Sequence, residues 1–546
     1  MTHATPAGTI ALTLADQARV VASLQAALAG PGRTTTVTLI ETHISFVLVA
    51  GDMAYKIKKA VNLGFVDFTT LALRRFYCDE ELRLNRRLAP ALYLEVVPIT
   101  GSPAQPVLGG HGPAIDWAVK MRAFAQDGLW DRLATRNALG PADIDALVDV
   151  LVAFHDSAAV AGPADGYGQG PKVRAPMLDT LQALRPLCPA LHERAELDAL
   201  TQWETQAFEA LDGRFDERVR ERRVRECHGD LHLGNVTRID GQTTVFDCLE
   251  FNAELRWTDV MNDVGFMAMD LHGHGLPRLA HRFVNGIVEG SGDVAGLHVL
   301  RYYMVYRALV RAKVAALRVA QLGTHALPSE RSTAAGARRR YLDVALACSR
   351  PAAPVLIVTH GCSGSGKTLL TQSLLELIGA IRVRADVERK RLFGLPPLAR
   401  SDPALREKLY SSAATEVTHA RLRETAGLAL ANGHSVILDA TFMAFEQREL
   451  ARALAGQLGV RFVIVDFQAQ AETLRQRVQQ RAQRVDDASE AGLAVLEDQL
   501  AHAQPLQPQE LPAVFAFDAE PRYDEASMDA RWAPLLQRLG WPVTRP

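Results

Sequence analysis

The chain has 546 residues, which is more than one hydrophobic core usually supports, so we expect two or more domains. Its content of 48% hydrophobic and 22% charged residues is that of an ordinary soluble globular protein. The formal net charge of -2 gives no global electrostatic reason to expect nucleic acid or an anionic membrane as a partner.

The six cysteines lie far apart in the sequence, without a CxxC pair. This spacing argues against a zinc site and a disulfide framework, and it favours a reducing compartment. The apolar residues near the N-terminus, interrupted by Asp16 and Arg19, predict an amphipathic helix rather than a signal peptide. No uncharged apolar stretch approaches the length that spans a bilayer. We therefore expect a cytoplasmic protein without a membrane partner, and nothing in the sequence indicates its oligomeric state.

A short Pro/Ala linker separates two blocks of different pattern. The block before it is strand-rich at first and then helix-rich, whereas strands alternate with helices in the block after it. Alternation of the second kind predicts βαβ units and a parallel sheet covered on both faces. The predicted segments are a helical extension (1–34), a first domain (35–348), the linker (349–354) and a second domain (355–546).

The first domain is predicted to begin with a β-hairpin. Apolar runs on both sides of Gly51 and Asp52 indicate two antiparallel strands over 44–59. A helix is expected from about Thr70 to Leu88, with Phe76, Leu82, Leu84 and Leu88 among its apolar positions. The remaining predicted elements of this domain are strands at 93–99 and 117–121 and mostly helical segments at 141–225 and 259–348.

The first domain also carries the string H-G-D-L-H-L-G-N over 228–235, followed by V-F-D over 245–247. Phosphoryl transfer needs a carboxylate to accept the proton of an attacking hydroxyl, and oxygen ligands to hold Mg²⁺. We therefore assign Asp230 as the candidate base, and Asn235 and Asp247 as the candidate Mg²⁺ ligands.

Two lysines of the hairpin precede this string. Lys56 and Lys58 share one face of a strand by the two-residue period, and either can neutralise the α- and β-phosphates of ATP. Glu81, on the following helix, is expected to pair with the lysine that does so. Spacing alone does not decide between Lys56 and Lys58.

These motifs resemble those of the aminoglycoside phosphotransferase family, over roughly residues 35 to 345. The resemblance implies a bilobal, protein-kinase-like fold for the first domain. It also makes Asp259 and Asp263 similar to the acidic positions that anchor the C-terminal lobe in that family. No Gly-rich phosphate loop stands ahead of the hairpin lysines. The residues that carry the resemblance are His228, Gly229, Asp230, Asn235 and Asp247.

The second domain carries the string G-C-S-G-S-G-K-T over 361–368, between an apolar strand at 355–359 and a predicted helix. In this context the string is a P-loop, whose backbone N–H groups and helix N-terminus bind phosphates. Lys367 is expected to reach the β- and γ-phosphates, and the Thr368 hydroxyl to coordinate Mg²⁺. The predicted fold class of the second domain is therefore α/β, a P-loop parallel sheet with flanking helices. It comes after a first domain that is predicted to be α+β and kinase-like. The candidate nucleotide-binding residues are Gly361, Ser363, Gly364, Ser365, Gly366, Lys367 and Thr368.

Other residues of the second domain indicate a kinase rather than a motor or a GTPase. Asp386 lies where small-molecule and polynucleotide kinases of the P-loop class bind the acceptor, and Arg389 is placed to hold an anionic group. Asp439, at the end of a strand, is a candidate Mg²⁺ ligand. Arg477 and Arg481 resemble lid arginines, the first assigned to nucleotide binding and the second to catalysis. The segment 475–499 is similar to the lid region of gluconate kinase-like and polynucleotide kinase-like proteins.

As a whole the chain resembles bacterial proteins described as bifunctional aminoglycoside phosphotransferase/ATP-binding proteins. The resemblance implies ATP and Mg²⁺ as cofactors. We expect the first domain to phosphorylate a hydroxyl of a polar small molecule, and the second to bind ATP and act as a small-molecule kinase. One alternative is a nucleic-acid 5′-hydroxyl kinase, which Asp386 and Arg389 suggest and the near-neutral charge disfavours. Another alternative is that one half is a non-catalytic nucleotide sensor that regulates the other.

Overall fold

The computed structural model describes residues 12–30, 36–64, 66–322, 327–350, 353–481, 487–520 and 523–541. These residues pack into two compact units, one within Met1–Gln182 and Asp212–Asp270, the other within Ala183–Leu211 and Leu271–Pro546. Packing units need not follow chain order, so the domain bounds given above stay a prediction. Parts of the predicted extension and linker, and Asp486 of the predicted lid, lie outside the described residues.

The bounds of the regular elements are as follows. The strands are β1 (Val37–Glu41), β2 (Ser45–Ala50), β3 (Met53–Lys58), β4 (Tyr93–Ser102), β5 (Gln105–Leu108), β6 (Ala114–Arg122), β7 (Val224–Glu226), β8 (Val236–Ile239), β9 (Gln242–Val245), β10 (Trp257–Asp259), β11 (Val355–His360), β12 (Ile381–Arg384), β13 (Val436–Asp439), β14 (Arg461–Gln468) and β15 (Val514–Asp518).

The α-helices are α1 (Leu14–Ala29), α2 (Leu71–Asn85), α3 (Trp130–Thr135), α4 (Pro141–Ser157), α5 (Gly170–Leu184), α6 (Leu191–Ala210), α7 (Arg214–Arg220), α8 (Ala253–Arg256), α9 (Val260–Gly273), α10 (Pro277–Ser291), α11 (Leu297–Leu322), α12 (Pro328–Ser349), α13 (Lys367–Ile378), α14 (Ala385–Leu392), α15 (Pro403–Leu409), α16 (Ser412–Ala431), α17 (Phe445–Gln457), α18 (Ala471–Arg481), α19 (Leu493–His502) and α20 (Glu525–Arg538). Among the described residues, none of these helices has the length and apolar character needed to cross a membrane.

The first unit contains a six-stranded antiparallel sheet in the order β1-β2-β3-β6-β4-β5. The predicted hairpin is confirmed, since β2 and β3 pair antiparallel around Gly51, whose φ of 59° suits a tight turn. The predicted amphipathic helix is confirmed as α1, which buries Val20, Val21 and Leu24 in the same core as residues of this sheet. The sheet therefore carries the two hairpin lysines on a strand with neighbours on both sides.

Helix α2 differs from its prediction in length and in its buried face. It ends at Asn85, earlier than predicted, and Phe76, which we expected at an apolar position, is 56% exposed. The buried face carries the predicted Leu84 together with Cys78, Arg74 and Glu81. Arg74 Nε donates a hydrogen bond to the buried Asp116 at 2.7 Å. This face is partly polar because its charges have buried partners, a feature that apolar periodicity does not detect.

The second unit contains a five-stranded sheet in the order β12-β13-β11-β14-β15, and all its strand pairs are parallel. The predicted parallel sheet is therefore confirmed. The central strand β11 is buried except at His360, as expected for a strand covered on both faces. The core on one side is built around Trp532. The loop after β11 leads directly into α13, so the P-loop lies at the carboxyl edge of the sheet.

Candidate active sites

The loop that follows β7 is fixed by a buried aspartate of α9. Asp263 accepts the backbone N–H groups of His228 at 2.8 Å and Gly229 at 2.9 Å. Burial favours the neutral acid, but His155 and His228 outweigh it and hold the pKa of Asp263 below its ordinary value. Gly229 has a φ of 82°, and a Cβ there would meet the Cα of Arg256 at 3.2 Å. The backbone just ahead of the candidate base is thus held by groups outside the motif.

The structure brings the three predicted residues of this motif together. Asn235 Nδ2 donates to the backbone oxygen of Asp230 at 2.9 Å and to its carboxylate at 3.2 Å, which leaves the amide oxygen as the group that suits a cation. The Phe246 N–H donates to the backbone oxygen of Asn235 at 3.0 Å, and this bond brings Asp247 beside the loop. The side chains of Asp230 and Asp247 are 42% and 39% exposed, so both carboxylates are open to solvent.

Asp247 adopts a φ of 63°, which is uncommon for a residue other than glycine and is often found at functional sites. Its N–H donates to Tyr93 Oη at 3.2 Å, and the N–H of Cys248 donates to Asn85 Oδ1 at 2.8 Å. Sequence reasoning missed both supporting side chains. Asn85 could have been found from the sequence, because it lies one helical turn after Glu81 on the buried face of α2. No local pattern in the sequence identifies Tyr93.

The two hairpin lysines share Glu81 but differ in exposure. Lys56 Nζ lies 2.8 Å from Glu81 Oε1 and 2.6 Å from Asp247 Oδ1. Lys58 Nζ lies 2.7 Å from Glu81 Oε2 and also pairs with Glu250. The side chain of Lys58 has no exposed surface, whereas that of Lys56 is 13% exposed and contacts the open Asp247 carboxylate. This geometry favours Lys56 over Lys58 as the lysine that a phosphate can reach.

Two ammonium groups and three carboxylates form one network. Burial opposes the charge of Lys56, but Asp247 and Glu81 outweigh it and hold the pKa of Lys56 well above its ordinary value. Burial likewise opposes the charge of Glu81, yet Lys56 and Lys58 lower its pKa to about 2. Burial raises the pKa of Glu250, and Lys58 offsets this only in part. Lys56 therefore stays charged throughout the physiological pH range.

The P-loop of the second unit depends on its glycines. Gly361, Gly364 and Gly366 have φ values of 138°, 86° and 79°, all in the region that favours glycine. A Cβ on Gly361 would meet the backbone oxygen of Phe467 at 2.9 Å, and one on Gly364 would meet that of Leu474 at 2.8 Å. Side chains at these positions would open the loop, so only glycine lets its backbone curl over the start of α13.

Lys367 lies inside this loop. Its Nζ donates to the backbone oxygens of Gly361 at 2.8 Å and Cys362 at 2.9 Å, and it lies 3.3 Å from Ser365 Oγ. Burial lowers the pKa of Lys367 to about 8, and the carboxylate of Asp439 offsets that effect only in part. The ammonium is thus held by neutral oxygens, which the more strongly attracting oxygens of a phosphate can replace.

The structure brings Thr368 and Asp439 together, with Thr368 Oγ1 donating to Asp439 Oδ2 at 2.6 Å. A hydroxyl and a carboxylate oxygen form the kind of donor set that Mg²⁺ prefers. The N–H of Ser363 donates to Gln499 Oε1 at 2.8 Å, so a side-chain oxygen from α19 occupies one donor of the P-loop. Only its position in the predicted lid segment pointed to Gln499.

Asp386 lies beside two donors at the start of α14. Its Oδ1 accepts hydrogen bonds from Arg389 Nη1 at 2.6 Å and from Tyr410 Oη at 3.2 Å. The guanidinium of Arg389 also lies 4.7 Å from the centre of the Tyr410 ring. Burial favours the neutral acid, but the neighbouring arginines, Arg389 foremost, lower the pKa of Asp386. Sequence reasoning missed Tyr410, whose position 24 residues after Asp386 carries no local signal.

The two predicted lid arginines lie in different surroundings. Arg477 donates to the backbone oxygen of Ala519 at 2.9 Å and to that of the next residue at 3.0 Å. Arg477 therefore ties α18 to the end of β15, where two carbonyl acceptors lie together, and its role in nucleotide binding stays a prediction. Arg481 donates to the backbone oxygen of Ala491 at 2.8 Å, and its charge contributes to the lowered pKa of Lys367. Of the two, Arg481 lies on the P-loop side, and a catalytic role for it stays a prediction.

Two sequence families match separate parts of the chain. Residues 77–303 match the family described as "Phosphotransferase enzyme family", and residues 356–506 match the one described as "AAA domain". Among solved structures, the chain is similar to a choline/ethanolamine kinase family protein from Mesorhizobium loti, with 15% identity, 62% of this chain and 99% of that chain covered, and a TM-score of 0.36. It is also similar to a gluconokinase from Sinorhizobium meliloti 1021, with 20% identity, 34% and 97% covered, and a TM-score of 0.24. Similarities at these scores carry no further conclusion.

The chain is thus a phosphotransferase of the kinase class, with an aminoglycoside phosphotransferase-type domain followed by a P-loop kinase-like domain. The resemblance and the fold class predicted from the sequence are confirmed. The chain belongs to the same family as the uncharacterized proteins Rv2004c of Mycobacterium tuberculosis and Mb2027c of Mycobacterium bovis. Each is 32% identical to it over 457 residues, which cover 82% of this chain and 87% of the relative.

The different exposure of the two hairpin lysines predicts different mutant phenotypes. Lys58→Met leaves Glu81 and Glu250 buried with one ammonium fewer, so we expect it to destabilise the first unit by about 3–5 kcal/mol. Lys56→Met leaves the pairs of Lys58 intact and should cost less stability, but it should weaken ATP binding in a Lys367→Ala background. Thermal unfolding and nucleotide titration measure the two effects. A Lys58→Met variant as stable as the parent would contradict the assignment.

The two candidate sites should also respond differently to pH. Lys367 loses its proton as the pH rises through about 8, and phosphates need the ammonium form, so ATP affinity of the P-loop should fall above pH 8. The limiting slope is about tenfold per pH unit. The pKa of Lys56 is raised, so affinity of the first site should stay flat to pH 9. Titrations of Asp247→Asn, which reports the P-loop, and of Lys367→Ala, which reports the first site, measure these profiles. Two parallel profiles would refute the difference.

Proposed function

We propose that both halves bind ATP with Mg²⁺ and that the first half transfers the γ-phosphate to a hydroxyl of a polar small molecule. The observation that carries this proposal is the grouping of Asp230, Asn235 and Asp247 next to Lys56. Two carboxylates there are open to solvent, while the loops that bear them are held by buried partners. A site of this kind positions reacting groups before substrate binds, which is what phosphoryl transfer requires.

In this proposal each residue of the first site has a separate task. Lys56 neutralises the α- and β-phosphates, and Lys58 serves to hold Glu81. Asn235 and Asp247 supply amide and carboxylate oxygens, which fit a hard cation such as Mg²⁺. A bound Mg²⁺ adds positive charge beside the phosphates. As the acceptor oxygen attacks the γ-phosphorus, its proton passes to the Asp230 carboxylate and the bond to ADP breaks.

The second half is proposed to act as a small-molecule kinase through its P-loop. Lys367 and the backbone N–H groups bind the phosphates, and Thr368 with Asp439 supplies the oxygen donors for Mg²⁺. Asp386 is the proposed base for the acceptor hydroxyl. Its carboxylate is ionised at neutral pH and can accept a hydrogen bond from the acceptor hydroxyl, although its lowered pKa makes it a weak base.

A nucleic-acid 5′-hydroxyl acceptor is the alternative for the second half. Asp386 and Arg389 motivate it, but Arg389 is already engaged by Asp386 and Tyr410, and the net charge of -2 gives little attraction for a polyanion. Incubation with labelled ATP and 5′-hydroxyl oligonucleotides separates the two acceptors. Label transfer to the oligonucleotide would replace the small-molecule proposal.

Asp230→Asn tests the proposed base of the first half. Because the amide cannot accept the proton, phosphoryl transfer to a hydroxyl acceptor should fall by about 10²–10⁴-fold, while ATP binding is retained. The measurement is ATP consumption by a Lys367→Ala parent across a library of hydroxyl-bearing metabolites, followed by the hit alone. Asp240→Asn is the control, since Asp240 is exposed in the turn between β8 and β9. Unchanged turnover in Asp230→Asn would rule out this base. We expect both Lys56→Met and Asp230→Asn to lose turnover. Of these two variants, only Asp230→Asn should still bind ATP.

A further inference from the structure

Helix α10 covers the edge of the P-loop sheet. This helix lies within residues 77–303, which match the phosphotransferase family, yet it packs in the same unit as the P-loop sheet. Among the described strands, β12 is at the edge of that sheet. Asn285 of α10 accepts the backbone N–H of Arg382 in β12 at 2.7 Å, and both residues are buried. The helix thus satisfies a backbone donor that the sheet itself leaves unpaired.

Two arginines of β12 connect helix α10 with the region of the P-loop. Arg382 Nη1 donates to the backbone oxygen of Thr368 at 2.6 Å, so the residue held by Asn285 in turn holds the proposed Mg²⁺ ligand. Arg384, two residues further and at the carboxyl end of the strand, places its Nη1 3.3 Å from Glu289 Oε1 of α10. Alternation along a strand puts both arginines on one face. Helix α10 therefore contacts both arginines, Arg382 through Asn285 and Arg384 through Glu289.

Arg384 lies among carboxylates that compete for it. Its Nη2 is 3.7 Å from Asp487, and its charge contributes to the lowered pKa of Asp386. The side chains of Arg384 and Glu289 are 18% and 23% exposed, so solvent screens this pair only in part. If Glu289 lost its charge, Arg384 would be drawn more strongly to the remaining carboxylates, which are Asp439, Asp386 and Asp487. Arg389 and Tyr410 already donate to Oδ1 of Asp386, so a second guanidinium there would occupy the oxygen that the proposed base keeps for the acceptor proton.

We propose that α10 is part of the P-loop phosphoryl-transfer site, and that its Glu289 is a positioning residue that holds Arg384 at the carboxyl end of β12 and away from the Asp386 carboxylate. The inference rests on the proposed kinase function of the second half. It implies that this site is completed by a helix from the sequence region of the other family.

The test uses the full chain with Asp230→Asn, which silences the first half, and follows hydrolysis of Mg·ATP with water as acceptor. Glu289→Gln should lower kcat by about tenfold with the KM for ATP unchanged, within the range for coupled neighbouring side chains. Glu289→Asp should recover part of this loss. In an Arg384→Gln background, Glu289→Gln should have no further effect. A second readout is the rate at which phenylglyoxal modifies Arg384, measured by peptide mass spectrometry, which should differ between Glu289→Gln and the parent because Arg384 changes its carboxylate partner.

Arg282→Gln is the matched control. Arg282 lies on the same helix and pairs with Glu376 of α13 at 2.7 Å, and Arg278 keeps a contact with that carboxylate when Arg282 is replaced. This control should leave kcat and the modification rate unchanged. Equal effects of Glu289→Gln and Arg282→Gln, or no effect of Glu289→Gln on either readout, would overturn the positioning role.

Lys367→Ala distinguishes a failure of the positioning role from a failure of the proposed kinase function, because hydrolysis that survives Lys367→Ala does not come from the P-loop. In that case the kinase proposal for the second half fails, and the proposed site fails with it.

Discussion

The first site depends on the ion pairs of Lys58, an ammonium group without exposed surface. A buried charge is tolerated only with partners, and Lys58 finds them in Glu81 and Glu250. Because Glu81 is fixed by Lys58, its second oxygen can hold Lys56. Lys56 in turn contacts Asp247, whose loop is held by buried groups of the sheet and of α2. The exposed end of this chain of contacts is where the phosphates and the metal are proposed to bind.

The two sites keep a lysine ready for phosphate by different means. Lys56 is surrounded by carboxylates, so it stays charged and its pKa is raised. Lys367 is surrounded by backbone oxygens and its pKa falls to about 8, so a bound phosphate supplies the countercharge that the protein does not. The positive end of the 12-residue helix α13 adds to the attraction in the second site. The difference follows from the local backbone. Lys56 lies on a strand whose neighbours supply carboxylate side chains, whereas Lys367 lies in a glycine loop that supplies backbone oxygens.

Most residues of the two candidate sites could be predicted from the sequence, because they belong to local motifs. A motif such as 228–235 or 361–368 holds its residues at a fixed spacing along the chain. The hairpin and the parallel sheet followed from periodicity for the same reason. Partners that meet only through tertiary packing were not predictable in this way: Tyr93 and Gln499 reach their loops from distant elements. The exposure of Phe76 was misjudged because apolar periodicity does not show that Arg74 and Glu81, which have buried partners, take part of the buried face of α2.

The central claim is that one chain forms two independent nucleotide sites, and binding stoichiometry tests it most directly. Calorimetric titration with a non-hydrolysable ATP analogue and Mg²⁺ should give two molecules bound per chain. Asp247→Ala and Lys367→Ala should each give one, with the remaining site keeping its affinity. A single site in the unmodified protein, or two sites retained in either variant, would contradict the account.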